Sequence, residues 1–480
     1  MSITDLFSIL PIIILIVWAS ILLLVDVFSK KRPGRTALLA AIGLSLTLGF
    51  ALAQVGQEYS AFNGMVVVDG FAVFLNALLL VSGLAGIALA YDYNKRMGWD
   101  RGEYYVLLLY SISGMMLMAI AADLIVVFLA LELLSIPLYV LAGFARPKLD
   151  SEEAALKYFL MGAFAGGFVV YGIALVFGAT GTTALNGIVA AINAGSADSS
   201  LLVIGAALIL VGFGFKVAVV PFQMWTPDVY QGAPTAVTAF MAVGAKVAGF
   251  AALLRIFVAA LPSLAADLTP ILWTLAALTM ILGNIIAVAQ GNIKRMLAYS
   301  SIAHAGYIFM ALVPFGNPSV AADSVASMLF YLLTYAITNF GAWSVVIALE
   351  KAEGKGLEIS DYAGLGRKYP GLAVAMMIFM LSFTGIPPTL GFMGKFFLFR
   401  TVLEGGYVGL AIIGVLTSLI SAYYYLRILV IMYMQDGEPE VRSDSWLNLV
   451  TALTAISVVA LSIYATPLFQ WASQAVLKLF

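Results

Sequence analysis

The sequence predicts an all-α polytopic membrane protein of about fourteen transmembrane helices, two of them interrupted. Three observations predict it. Of 480 residues, 63% are hydrophobic and only 10% charged, which is more apolar surface than a soluble core can hide. Apolar runs of about 20 residues, the length that crosses the hydrocarbon of a bilayer, recur along the whole chain. Lysine and arginine gather in alternate connections between those runs, the asymmetry that marks the cytoplasmic side.

In order, the runs fall at 6–28, 36–52, 69–90, 104–121, 123–144, 153–177, 201–230, 237–261, 270–289, 294–313, 326–349, 371–403, 407–434 and 446–469. The first is not expected to be a signal peptide, since positive charge follows it and no small-residue cleavage site does. The seventh run contains Pro221, and the twelfth contains Pro387 and Pro388 among Gly385, Gly391 and Gly394. Proline removes a backbone donor, so both helices are expected to be discontinuous. Residues 182–199 are too short and polar to span, and Leu185, Ile188, Val189 and Ile192 suit one face of a surface helix. Residues 351–369, charged and glycine-containing, suit a cytoplasmic loop. The chain therefore reads as one integral membrane domain, 1–480. Within it lie two five-helix units, 104–261 and 270–434, with flanking helices in 1–103 and 435–480. An odd number of helices per unit makes the second inverted relative to the first, and sets the broken helices seven and twelve in corresponding positions.

Sixteen of the 24 lysines and arginines fall in connections after odd-numbered runs. They are Lys30, Lys31, Arg32 and Arg35; Lys95, Arg96 and Arg101; Arg146 and Lys148; Lys294 and Arg295; Lys351, Lys355, Arg367 and Lys368; and Arg442. Arg400 and Lys478 lie toward the opposite side. The expectation is a multi-pass protein of the inner (plasma) membrane with both termini on the outer side.

Composition also excludes chemistry. With no cysteine and a single histidine, His304, the sequence offers no thiolate-held cluster, cysteine nucleophile or conventional histidine metal site. Neither a P-loop nor a dinucleotide fingerprint is present. A net charge of −1 without a basic tract gives no sign of nucleic-acid binding. Any redox chemistry is expected in partner subunits.

What remains is a series of ionisable residues inside the apolar runs, where a charge costs at least about 2.5 kcal/mol at mid-depth and marks an ion or proton path by default. Glu132 lies nine residues past Asp123, roughly 13 Å along a helix. Lys216 precedes the break at Pro221, and Lys395 follows the break at Pro387. A buried carboxylate and a buried lysine each favour the neutral form alone and restore one another's charge when paired, which makes Glu132 and Lys216 the candidate pair. The alternative is a salt bridge that only staples two helices. Lys246, among Gly244, Ala245, Ala248 and Gly249, is equally deep; its alternative is a hydrogen bond to a neighbouring backbone. His304 can relay protons near neutral pH. Lys157 lies near the cytoplasmic end of its run, where a lysine can snorkel. Arg255 and Arg427 do not deprotonate usefully and suit field-setting or packing. Tyr423–Tyr425 and Met376–Met377 read as packing or interface belts.

At 216–235, which ends in WTPDVYQGAPT, at 237–246, and at 385–399, with GIPPTLGFMGKF, the chain resembles the antiporter-like membrane subunits of the proton-pumping NADH:quinone oxidoreductase, bacterial respiratory complex I. Within them it is most similar to the subunit N family. The resemblance covers essentially the whole chain and implies a proton-translocating subunit in which Glu132 tunes the proton affinity of Lys216. Protons would then pass by Lys246 and His304 to Lys395, with Lys157 a further candidate. It implies NADH, FMN, iron–sulfur clusters and quinone in other membrane and peripheral subunits, and none bound here. Where the family usually has a histidine after the proline and phenylalanine, this chain has Gln223. Related multisubunit cation/proton antiporters supply a second expected function. A third is a structural spacer that keeps the polar residues of an antiporter ancestor.

Overall fold

The structure, a computed structural model, describes residues 3–28, 34–352, 354–442, 444–475 and 477. Lys30, Lys31, Arg32 and Lys478 lie outside the described residues. Helices α1 (Ile3–Phe28) and α2 (Arg35–Leu52) lead to a small antiparallel hairpin, β1 (Tyr59–Ala61) with β2 (Val66–Val68), in which Tyr59 pairs with Val68. Then come α3 (Gly70–Met97), α4 (Glu103–Ile120), α5 (Leu124–Ala142), α6 (Leu149–Thr180) and the short amphipathic α7 (Leu185–Asn193). The seventh run is divided into α8 (Ser199–Val217) and α9 (Trp225–Gly232). Helix α10 (Thr235–Leu253) continues into a π-helical turn, Leu254–Ala260. Next are α11 (Ala265–Val288), α12 (Ile293–Met310), α13 (Ala321–Leu349) and the four-residue α14 (Leu365–Lys368). The twelfth run is divided into α15 (Pro370–Thr384) and α16 (Leu390–Glu404), and α17 (Val408–Met434), α18 (Ser445–Ile463) and α19 (Ala465–Gln474) complete the chain.

Twelve helical segments among the described residues are long and apolar enough to cross a membrane. The other two of the fourteen expected spans are α12, diluted by Lys294, Arg295, Ser300, Ser301 and His304, and the interrupted pair α15–α16. Helices prevail because a bilayer offers no hydrogen bonds to the backbone, which must then satisfy itself. Several begin at an Asp or Asn cap: Asp69 accepts from Ala72 N–H, Asp123 from Ile125, Asp198 from Leu201 and Asn292 from Lys294. Where two helices meet most closely the residues are small. A Cβ on Gly172 of α6 would sit 2.7 Å from the Gly205 carbonyl of α8, and one on Gly283 of α11 would sit 2.8 Å from Ala303 N of α12.

The segments differ in what surrounds them. The apolar window of the α10 span is wholly buried and that of α13 is 89% buried, whereas α1, α6, α17 and α18 turn residues such as Phe164, Leu419 and Ile456 outward. Polar side chains on α10 and α13 therefore point into protein rather than lipid.

Two sequence expectations change, and a third divides between its two readings, packing and interface. The last run, 446–469, is interrupted at Tyr464, and Pro467 in the first turn of α19 has no N–H to continue the helix. Lys294, counted among loop residues, is buried in the first turn of α12. In the aromatic run only Tyr423 faces outward; Tyr424 and Tyr425 are fully buried, because a helix carries consecutive side chains to different faces.

Candidate functional site

The two interruptions are built alike. Helix α8 stops where Ala218 adopts a left-handed conformation, φ 64°, and Val219 N–H returns to the Gly214 carbonyl at 2.9 Å. Helix α15 stops at Gly385, φ 86°, with Ile386 N–H on the Leu381 carbonyl at 3.0 Å. Such turns close a helix but leave last-turn carbonyls in need of donors, at the end where the helix dipole favours positive charge. In each case a buried lysine supplies one. Lys246 Nζ donates to the Val217 carbonyl at 3.2 Å, and Lys395 Nζ donates to the Thr384 carbonyl at 2.9 Å. Trp225 Nε1 takes the Phe215 carbonyl at 3.0 Å, and the Thr279 hydroxyl of α11 accepts Val220 N–H at 2.9 Å.

Lys216 lies in the last turn of α8, 2% exposed. Its ammonium donates to Ser135 Oγ at 2.7 Å and Tyr158 Oη at 3.2 Å, and lies 5.3 Å from the Tyr158 ring centroid. Tyr158 is itself stacked on Trp225 of α9, with ring centroids 4.5 Å apart. The candidate pair Glu132–Lys216 is not in direct contact. Glu132 is only half-buried, on the α5 face that also carries the outward Leu129 and Ile136, and its Oε1 faces Gly166 of α6. No ion pair joins the two residues among those described; Ser135, one helical turn beyond Glu132, takes the ammonium instead. The charges still interact at longer range.

His304 lies at the centre of a tyrosine cluster. Its Nδ1 is 2.7 Å from Tyr331 Oη and its Nε2 is 3.1 Å from Tyr425 Oη, which in turn meets Ser300 Oγ at 2.5 Å. With hydroxyls on both ring nitrogens, the imidazole can take a proton on one side and release one on the other. Lys395 Nζ also donates to Ser418 Oγ at 2.9 Å and lies 4.7 Å from the Tyr307 ring. The Tyr307 hydroxyl continues to Thr417, and Asn284 donates to it. Lys246 and Lys395 are both within electrostatic range of His304. Periodicity carries no signal for these hydroxyls, since a tyrosine on an apolar helix reads as bulk until its neighbours are known.

The structure does not bring Lys157 to this series. It is 40% exposed and bonded at 2.7 Å to both Asp228 and Glu153, while Arg295 holds the other oxygen of Asp228 at 2.8 Å. That network ties α6 and α12 to α9. Gln223 sits between the two half-helices with its Oε1 unpartnered among the described residues. Arg255 forms a fully buried two-point ion pair with Asp69, at 3.0 and 2.9 Å, and also holds the Ala119 carbonyl. A groove of about 600 Å³ beside the first interruption is lined by apolar side chains, including Phe164, Phe168, Phe222 and Met224, and offers no polar route. Among the described residues no group of three or more His, Cys, Asp or Glu is placed to hold a metal.

Interrupted membrane helices closed by buried lysines define a class. Residues 121–421 match the family described as NADH:quinone oxidoreductase/Mrp antiporter, TM. The fold alone is shared with a chain in the Mrp complex from Dietzia sp. DQ12-45-1b: TM-score 0.87, 20% identity, 99% of this chain and 97% of that one. Nearer relatives narrow the class. The sequence is 47% identical over 478 residues to NADH-quinone oxidoreductase subunit N of Trichlorobacter lovleyi, covering 98% of this chain and 96% of the relative. It is 46% identical over 472 residues to subunit N of Chloroflexus aggregans, covering 97% and 96%. A chain of respiratory complex I from Thermus thermophilus with bound aureothin superposes with TM-score 0.83 at 36% identity, covering 96% of this chain and 99% of that one. The chain belongs to the NADH-quinone oxidoreductase subunit N family.

Proposed function

We propose that this chain carries protons across the membrane as one subunit of a respiratory NADH:quinone oxidoreductase, driven by electron transfer in its partners. The observation that carries the reading is the buried series from one interrupted helix to the other: Lys216 in α8, Lys246 on the α8 terminus, His304 among its tyrosines, and Lys395 on the α15 terminus. Each side chain can hold a proton, and each is met by hydroxyls or freed carbonyls that can orient one. Glu132, at the outward face of α5, biases Lys216 through space. A movement of α5 that brings the carboxylate nearer retains the proton on Lys216, and withdrawal releases it toward Lys246. Water completes the intervals between residues that do not touch. Lys157 holds α9 in place rather than relaying.

Moving a charge against the membrane potential costs about 2.3 kcal/mol per 100 mV, so the chain requires an outside source of energy. NADH oxidation and quinone reduction, on FMN and iron–sulfur clusters held by other subunits, supply it in this reading. Residues 104–261 and 270–434 act as the two inverted units, each contributing one interruption, and both termini face the outer side. A cation/proton antiporter subunit is the second reading. The likeness to the Mrp chain favours it only at the level of fold, whereas the 47% identity over nearly the full length favours the first.

Partner identity separates the two. Tagging the chain, extracting native membranes in mild detergent and identifying what co-purifies should recover flavin- and iron–sulfur-bearing subunits together with NADH:quinone activity. Recovery of antiporter subunits alone would replace this reading with the second.

A further inference from the structure

A second buried polar cluster takes no part in the series from Lys216 to Lys395. Glu350, at the end of α13, is 5% exposed, and its Oε2 has no hydrogen-bond partner among the described residues. The Tyr93 hydroxyl lies against this carboxyl and also accepts Thr235 N–H at 3.1 Å. Tyr362, fully buried with an unpartnered hydroxyl, faces the same carboxyl. Burial, with Glu350 and Asp361 nearby, holds the Tyr362 pKa well above its ordinary value, so this hydroxyl stays protonated and available to donate. The cation of the cluster is Lys294, 2% exposed, whose Nζ donates to the Ala233 carbonyl at 2.7 Å. Lys148 and Asp150 face it from the same side of the molecule. A carboxylate oxygen and several hydroxyls left unpaired in the interior are costly unless water joins them or the carboxylate takes a proton.

From this cluster a line of hydroxyls leads inward. Lys294 and Ser301 share one face of α12, seven residues and about 10 Å apart. The Tyr230 hydroxyl lies near Ser301, and Tyr335 Oη donates to Ser301 Oγ at 2.8 Å. The Tyr335 ring lies 5.3 Å from the His304 ring. Thr226 and Thr235 add two further buried, unpartnered hydroxyls on the α9–α10 side.

We propose that Glu350, with Lys294 beside it, takes up protons from the side bearing the basic loops and feeds a branch through Tyr230, Ser301 and Tyr335 to His304 that bypasses Lys216. This rests on the proton-carrying reading above and adds a point of uptake to it. A proton binds a Glu350 carboxylate oxygen and leaves to water. Each hydroxyl then accepts one proton on oxygen while passing on its own, water carries the proton from Tyr335 to the Tyr331 or Tyr425 hydroxyl, and the His304 nitrogen which that hydroxyl meets receives it, so only O–H and N–H bonds form and break.

The test uses the assembled complex in native membrane vesicles, with NADH-driven proton pumping and quinone reduction followed across a pH series for Glu350→Gln, Glu350→Asp, Tyr335→Phe and Lys216→Ala. Glu350→Gln should slow pumping by roughly tenfold at the alkaline end, where proton supply limits, and less at the acid end. Glu350→Asp should restore most of the rate, and Tyr335→Phe should share the alkaline loss. Glu350→Gln and Tyr335→Phe pumping at the unsubstituted rate at every pH, with Lys216→Ala impaired, would overturn the branch and leave the main reading standing. Normal pumping by Lys216→Ala would instead remove the main reading. If Glu350→Gln does not assemble, Tyr335→Phe, which removes one oxygen atom, decides alone.

Discussion

In the proposed path, Ser135 is the residue on which the first half turns. It sits one turn from Glu132 and accepts the Lys216 ammonium at 2.7 Å, so in the proposed path the serine holds the lysine while the carboxylate acts on it through space. A hydrogen bond to a charged group contributes about 1.5–3 kcal/mol. Ser135→Ala should therefore lower coupled proton pumping several-fold while the subunit still assembles, and unchanged pumping in an assembled variant would make the serine a bystander. At the second half, Tyr425→Phe removes the hydroxyl on His304 Nε2 and leaves Tyr331 on Nδ1. Pumping should fall while quinone reduction in uncoupled membranes stays normal; an equal fall in both would point to misassembly. At this scale the sequence exposed the charges and hid their partners. Glu132, Lys216, Lys246, His304 and Lys395 stand out because ionisable groups are rare in apolar runs. Ser135, Tyr158, Tyr331 and Tyr425 do not, because serine and tyrosine are ordinary there. That the candidate Glu132–Lys216 pair interacts at longer range rather than by contact was hidden for the same reason: helical depth can be read from spacing, but the face toward which each side chain turns depends on tertiary contacts.

Among the elements, the interruptions are the proposed functional device and the Asp69–Arg255 pair is the fastening. The pair joins the cap of α3 to the π-helical turn beyond α10, and Arg255 also reaches the end of α4. Removing one member of a buried ion pair leaves an uncompensated charge and costs about 3–5 kcal/mol. Arg255→Leu should thus reduce the amount of subunit incorporated into the membrane complex, measured by immunoblot of native gels. Replacing both members, Asp69→Asn with Arg255→Leu, should recover part of it. Full incorporation of Arg255→Leu alone would show that the pair is dispensable. Both interruptions were legible in the sequence because proline cannot donate, and the surface helix at 185–193 because its apolar residues share a face. The hairpin after α2 was not, as its strands are three residues each and carry no lasting alternation. Lys294 was misplaced because charge near a helix end reads as loop when the chain that covers it is unknown.

The whole molecule is an apolar shell around a polar axis. Leucine, isoleucine and phenylalanine face outward on the peripheral helices, and the ionisable and hydroxyl groups collect around α10 and α13, the two most enclosed spans. Such an arrangement keeps charges away from lipid and holds them at fixed spacing, which a relay requires and a mere spacer does not. The central claim is that Lys216 carries the proton which links the two halves. It is tested most directly by Lys216→Ala in the assembled complex, comparing the rates of proton pumping and of NADH:quinone reduction in sealed native vesicles with those of the unsubstituted enzyme. Normal assembly is expected, with a marked loss of both pumping and coupled quinone reduction, and partial recovery in Lys216→Arg would show only that charge is needed there. An assembled Lys216→Ala complex that pumps protons and reduces quinone at the unsubstituted rates would contradict it.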